Sequence, residues 1–135
     1  MAELKKGIGT KRSTKKNTVT ENKLEILITT VPRNKAEYFV DLIQSFEVNM
    51  QMTVFAEGTA DNGMLAALGI NDSAKAVIIS VIQEKKIADA VATLEEKFAT
   101  IKGGKGIAFT IPMSSVIGTL IYGFLSNDKT VMENK

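Results

Sequence analysis

The chain has 135 residues and not one cysteine, histidine or tryptophan. Without cysteine there is no disulfide, no thiolate nucleophile and no sulfur ligand for a metal. Without histidine the usual general base, the pH switch near neutrality and the commonest metal ligand are gone. Nucleophilic triads and most zinc chemistry go with them, and the expectation is a protein that is not an enzyme and holds no metal. Without tryptophan a large stacking platform is missing, and sequence-specific nucleic-acid binding is not expected. Long apolar runs are also missing: "VIGTLIYGFL", 116–125, is about half the length a membrane-spanning helix needs. A soluble, cytoplasmic chain that is not an integral membrane protein is expected.

What is present is an ordinary globular composition, 44% hydrophobic and 24% charged. A chain of this size can bury a core without disulfides or a structural metal. The net charge of +2 hides an uneven distribution. Residues 1–22 carry six basic side chains against Glu3 and Glu21, a formal +4, and the rest of the chain carries 11 basic and 13 acidic groups, a formal −2. The segment 1–22 is polar, rich in Gly, Ser and Thr, and without apolar periodicity. Its composition predicts a flexible basic tail. It has no apolar core of the kind a secretory signal needs. It is either a solubilising extension or an electrostatic arm for an anionic surface. The expected organisation is a tail over 1–22, a domain over 23–126 and a short C-terminal tail over 127–135.

Within the domain, "KLEILITTV", 23–31, predicts a strand ended by Pro32. In "RNKAEYFVDLIQSF", residues Ala36, Phe39, Val40, Ile43 and Phe46 fall on one face of a helix, with Asn34 placed to cap it. "MQMTVFAEG", 50–58, is a second strand, in which Met50 and Met52 are expected as core filler. "TADNGMLAALGIND", 59–72, holds a short helix closed by Gly69. "AKAVIISVIQ", 74–83, is apolar enough for the middle of a sheet. The next segment places Ile87, Val91, Leu94 and Phe98 along a second amphipathic helix. Residues 106–112 form the fourth strand, ended by Pro112.

The order strand, helix, strand, strand, helix, strand predicts an α+β, ferredoxin-like βαββαβ fold. Two right-handed crossovers give a four-stranded antiparallel sheet with two helices on one face. The other face, with strands as apolar as 76–82, would stay bare at a cost of roughly 25 cal/mol per Å². It is therefore expected to close in an oligomer, with 116–125 helping to cover it.

"MTVFAEGTADNGMLAALGINDSAKAVIISVIQEKK" followed by "GGKGIAFTIPMSSVIG" resembles the nitrogen-regulatory PII and PII-like signalling proteins. The likeness is carried by "EGTA" (57–60), by "AKAVIISVIQEKKIADAV" (74–91) and by "GKGIAFTIP" (104–112), and it covers about 23–118. The resemblance implies a homotrimer built around the outer sheet faces. It implies a small ligand, an adenine nucleotide such as ATP, ADP or AMP, in clefts between subunits. It also implies that the segment between the second and third strands acts on a membrane transporter or a metabolic enzyme.

The site residues so implied are Gly58, Thr59 and Ala60 on one side of the cleft and Gly104, Lys105 and Gly106 on the other, with Met64 and Leu65 as a docking surface. Two departures stand out. Ile107 occupies the place where nucleotide-binding members carry a lysine after the last glycine, and "TIPMSSVIGTLIYGF" lacks the arginines that hold phosphates in such members. Two readings of Gly103, Gly104 and Gly106 stay open: an anion-binding nest of backbone N–H groups, or a turn that needs positive φ. Gly58 to Ala60 lines a cleft or caps the short helix. Met64 and Leu65 dock a partner or fold back on the domain. A trimeric assembly module without ligand, its tail on an anionic surface, is the alternative function.

Overall fold

The computed structural model describes residues 22–59, 62–67 and 74–128, without the side chains of 62, 65 and 66. The elements are β1 (Leu24–Pro32), a 3-10 turn (Arg33–Lys35), α1 (Ala36–Gln44), β2 (Met50–Glu57), α2 (Asn62–Ala67), β3 (Ala74–Gln83), α3 (Glu84–Thr100), β4 (Ile107–Pro112) and α4 (Thr119–Ser126). The four strands are antiparallel in the order β2-β3-β1-β4. This is the ferredoxin-like arrangement expected from the element order.

Directly opposed residues of antiparallel strands share a face. The pairs Leu27↔Ser80, Thr29↔Ile78 and Val31↔Ala76 therefore point one way. That way lie α1 and α3. Phe39 and Ile43 of α1 and Ala90 and Leu94 of α3 close over Leu27, Val31, Ile78 and Ile82 in a single core. Phe39 is fully buried and packs its ring 5.4 Å from that of Phe98.

Two local expectations are corrected. Asn34 does not cap α1: it lies in the 3-10 turn, and the Ala36 N–H donates to the Arg33 carbonyl instead. The tighter turn takes up backbone groups that a side-chain cap would otherwise satisfy. On α3, Val91 turns out toward solvent and Ala90 faces the sheet with no exposure. A small residue at that position lets the helix come close to the strands.

The outer face carries Ile26 and Ile28 of β1, Val77, Ile79 and Val81 of β3, and the alternate residues of β2 and β4. Met50, Met52, Val54, Ile107, Phe109 and Ile111 are each between 45% and 67% exposed. Met50 and Met52 are thus on the open face and not core filler in the protomer. One end of this face is covered by α4, which places Tyr122 and Leu125 on Leu24 and Val81. Hydrogen bonds hold that cover. Gln83 donates to the Ser126 carbonyl at 2.6 Å and Tyr122 to the Asn22 carbonyl at 2.9 Å. Asn49 donates to the Phe124 carbonyl and Asn127 to the Glu47 carbonyl, both at 2.6 Å. Among the described residues no helix is long and apolar enough to cross a membrane.

Candidate functional site

Register decides which site residues are neighbours. Glu57 pairs with Ala74, Pro32 with Lys75 and Thr30 with Ile107. The end of β2, the end of β1 and the starts of β3 and β4 therefore lie at one end of the sheet. Gly58 and Thr59 leave β2 there, and Gly104, Lys105 and Gly106 enter β4 there. They stand on opposite edges, because β3 and β1 lie between β2 and β4. At the usual strand spacing that is roughly 14 Å. One protomer does not bring the two halves of the expected cleft together. Thr59 and Lys105 are exposed, Gly58 and Gly106 are half-buried and Gly104 is buried. Ala60 lies outside the described residues. Met64 is 56% exposed on α2; the Leu65 side chain is not described.

Packing accounts for the glycines of the turn. Gly103 has φ +69°, and the Gly104 N–H donates to the Ile101 carbonyl at 3.0 Å. That places Gly103 third in a β-turn, where a type II turn requires positive φ. A Cβ on Gly106 would lie 2.6 Å from the Thr30 carbonyl oxygen and 2.7 Å from Cε1 of Phe98. Gly106 thus lets β4 begin against β1 and α3. Lys105, between the two buried approaches, projects outward.

The same end of the sheet holds a residue that sequence reasoning missed. Arg33 follows the last residue of β1 and reaches past the start of β3 to β2. Its Nη2 donates to the Ala56 carbonyl at 3.2 Å and to Glu57 Oε1 at 3.4 Å. Its guanidinium carbon stands 4.9 Å from the centroid of the Phe55 ring. Its Nε is buried without a partner among the described residues. One cation among 17 gives no local signal of such a placement. With Lys35 of the same turn, Lys75 of β3, and Lys102 and Lys105 of the segment before β4, Arg33 makes this end rich in cations.

A groove of about 490 Å³ lies at the opposite end, lined by Leu24, Glu25, Glu84, Met113, Val116 and Tyr122 among others. None of the expected site residues lines it. Among the described residues no three acidic side chains converge as a metal site would need.

No protein-family model matches the chain, and no curated protein matches it in sequence. Solved structures share its fold. CPII from Thiomonas intermedia K12, bound to ADP, AMP and acetate, is similar with a TM-score of 0.53 and 18% identity, over 75% of this chain and 94% of that one. A structure of the same protein, described as a nitrogen regulatory PII-like protein and bound to ADP, AMP and bicarbonate, gives 0.50 and 18%, over 70% and 96%. A functionally unknown protein from Pediococcus pentosaceus ATCC 25745 gives 0.51 and 12%, over 71% and 97%. The chain has the fold of these PII-like proteins.

Proposed function

We propose that this chain is a PII-like regulatory protein, not an enzyme, that works in the cytoplasm as a homotrimer. It binds a small ligand, an adenine nucleotide, between subunits. One observation carries this reading: the two halves of the cleft stand at the same end but on opposite edges of a sheet whose outer face is apolar and, among the described residues, largely uncovered. Association through that face sets the β2 edge of one protomer beside the β4 edge of the next. Gly58, Thr59 and Ala60 then face Gly104, Lys105 and Gly106 across a subunit boundary. The helix α4 supports the same association. It contains no charged residue, and Leu120, Ile121 and Phe124 stay exposed opposite its buried side. A helix apolar on both sides is one that is covered on both sides.

The ligand acts by favouring one arrangement of the segment after β2 over another, which requires different affinity for the two. That segment, with Met64 and Leu65, is the surface offered to a membrane transporter or a metabolic enzyme. The ADP- and AMP-bound CPII structures support an adenine nucleotide as the ligand.

The test pairs sedimentation with calorimetry. A mass of three 14.6 kDa chains is expected, together with micromolar binding of ATP, ADP or AMP. A monomer that binds no nucleotide would remove the reading.

The packing of the glycine turn favours a second reading, because Gly103 and Gly106 are explained without a ligand. The trimer is then an assembly module, with the basic tail on an anionic surface. Binding to anionic vesicles would fall steeply with salt and vanish when Lys11, Arg12, Lys15 and Lys16 are changed to Glu.

A further inference from the structure

We propose that Arg33 is the anion-reading residue of this cleft: its guanidinium exchanges Glu57 for a phosphate oxygen of the ligand and so sets how the chain leaves β2. The inference rests on the proposed inter-subunit cleft and names the residue through which that site is read.

The placement comes first. Arg33 grips three consecutive residues, Phe55, Ala56 and Glu57, directly before the chain exits at Gly58. Gly58 has no side chain to resist a change of direction. The grip therefore acts at the point where a small change in backbone direction is carried into the whole following segment.

The donors come second. A guanidinium carries five N–H groups in a planar fork. Here a single nitrogen serves both acceptors, and Nε is buried without a partner among the described residues. The guanidinium carbon lies over the Phe55 ring, 4.9 Å from its centroid, a cation–π contact that helps to hold it in place. The guanidinium reaches solvent, and its two Nη groups suit bidentate binding of a phosphate, which Lys105, a point charge on the other edge, cannot reproduce. Arg33 thus supplies a guanidinium from the end of β1, where the segment after β4 has none.

The exchange is energetically open. The contact to Glu57 is long, 3.4 Å, and both side chains reach solvent, with 38% and 67% exposure. Exposed pairs of this kind contribute little to stability. A phosphate carries more charge and more acceptor oxygens than a single carboxylate, so it wins the fork when it arrives. Glu57 then gives up the Arg33 guanidinium, and the hold on the end of β2 is shared between the Ala56 carbonyl contact and the ligand.

The experiment uses the full chain as wild type, R33Q and E57Q, with ATP and sodium tripolyphosphate as probes. Calorimetry reads affinity, and hydrogen exchange reads the amides of 55–59. ATP and tripolyphosphate are expected to bind wild type and to change exchange at 56–59. R33Q is expected to bind both about tenfold more weakly or worse, the worth of one charge-assisted bond. E57Q is expected to bind both a few-fold more tightly, because the competing carboxylate is gone. That gain separates an exchange from a merely structural role, which predicts loss in both variants. Equal affinity of R33Q and wild type, or weaker binding by E57Q, would overturn the role of Arg33 and leave the nucleotide reading standing. Binding of tripolyphosphate but not ATP would overturn the nucleotide and keep Arg33. Binding of neither would overturn both.

Discussion

The two faces of the sheet are built from the same kinds of residue and have opposite fates. Leu27, Val31, Ile78 and Ile82 on one face are sealed by α1 and α3, with essentially no exposure. Ile79, Phe109 and Ile111 on the other are as apolar, yet among the described residues α4 covers one end of that face and leaves Phe109 and Ile111 about half exposed. Apolar character alone does not decide burial; the supply of covering elements does. A two-layer fold has two helices to spend on one face, and among the described residues the second face has α4 at one end.

The sharpest way to break this comparison is Phe39→Ala, on the sealed side. It removes a fully buried ring, and chemical denaturation should show a loss of about 3–5 kcal/mol. On the α4-covered end of the outer face, Leu125→Ala should cost about 2–3 kcal/mol in the same measurement, since the cover is one helix thick. Tyr122→Phe keeps the ring and removes the hydrogen bond to the Asn22 carbonyl; a loss of about 0.5–1.5 kcal/mol is expected. The smallest effect on the protomer itself belongs to Phe109→Ser, on the open face, within about 0.5 kcal/mol when measured on dissociated chains. Its effect on the proposed association should be large: sedimentation at micromolar concentration should show a trimer for wild type and monomers for the variant. A Phe109→Ser protein that keeps the wild-type mass would show that the open face is not the contact surface.

Much of the fold is legible in the residues. The unbroken apolar run 74–83 marks a central strand, and it lies between β2 and β1. The three-and-four spacing of Phe39, Val40 and Ile43 marks α1. The register of α3 is less legible, because Ala90 and Val91 are both apolar and only the closeness of the sheet selects the smaller. The helix in 116–125 is hidden because its apolar composition fits strand and helix equally, and charge patterning is absent. Asn34 shows the limit of cap signals: the residue type was right for a cap, and the 3-10 turn left it no role. At the candidate site the glycines could be read as a turn, but not the reason for each, since the reason for Gly106 is the carbonyl of Thr30 and the ring of Phe98, both distant in sequence. Arg33 could not be read at all. Its partners lie 23 and 24 residues away, and no periodicity or motif links them.

The sequence by itself determined the kinds and order of the main elements from β1 to β4, the uneven charge and the lack of thiol and imidazole chemistry. Those follow from propensity, periodicity and composition, which act over a few residues. Only the tertiary structure decided that β2 and β4 form opposite edges, that the segment covering one end of the outer face is a helix, and that Arg33 meets Glu57. Those follow from strand pairing and burial between distant segments, whose free energy depends on which surfaces are left to cover one another once the sheet has formed.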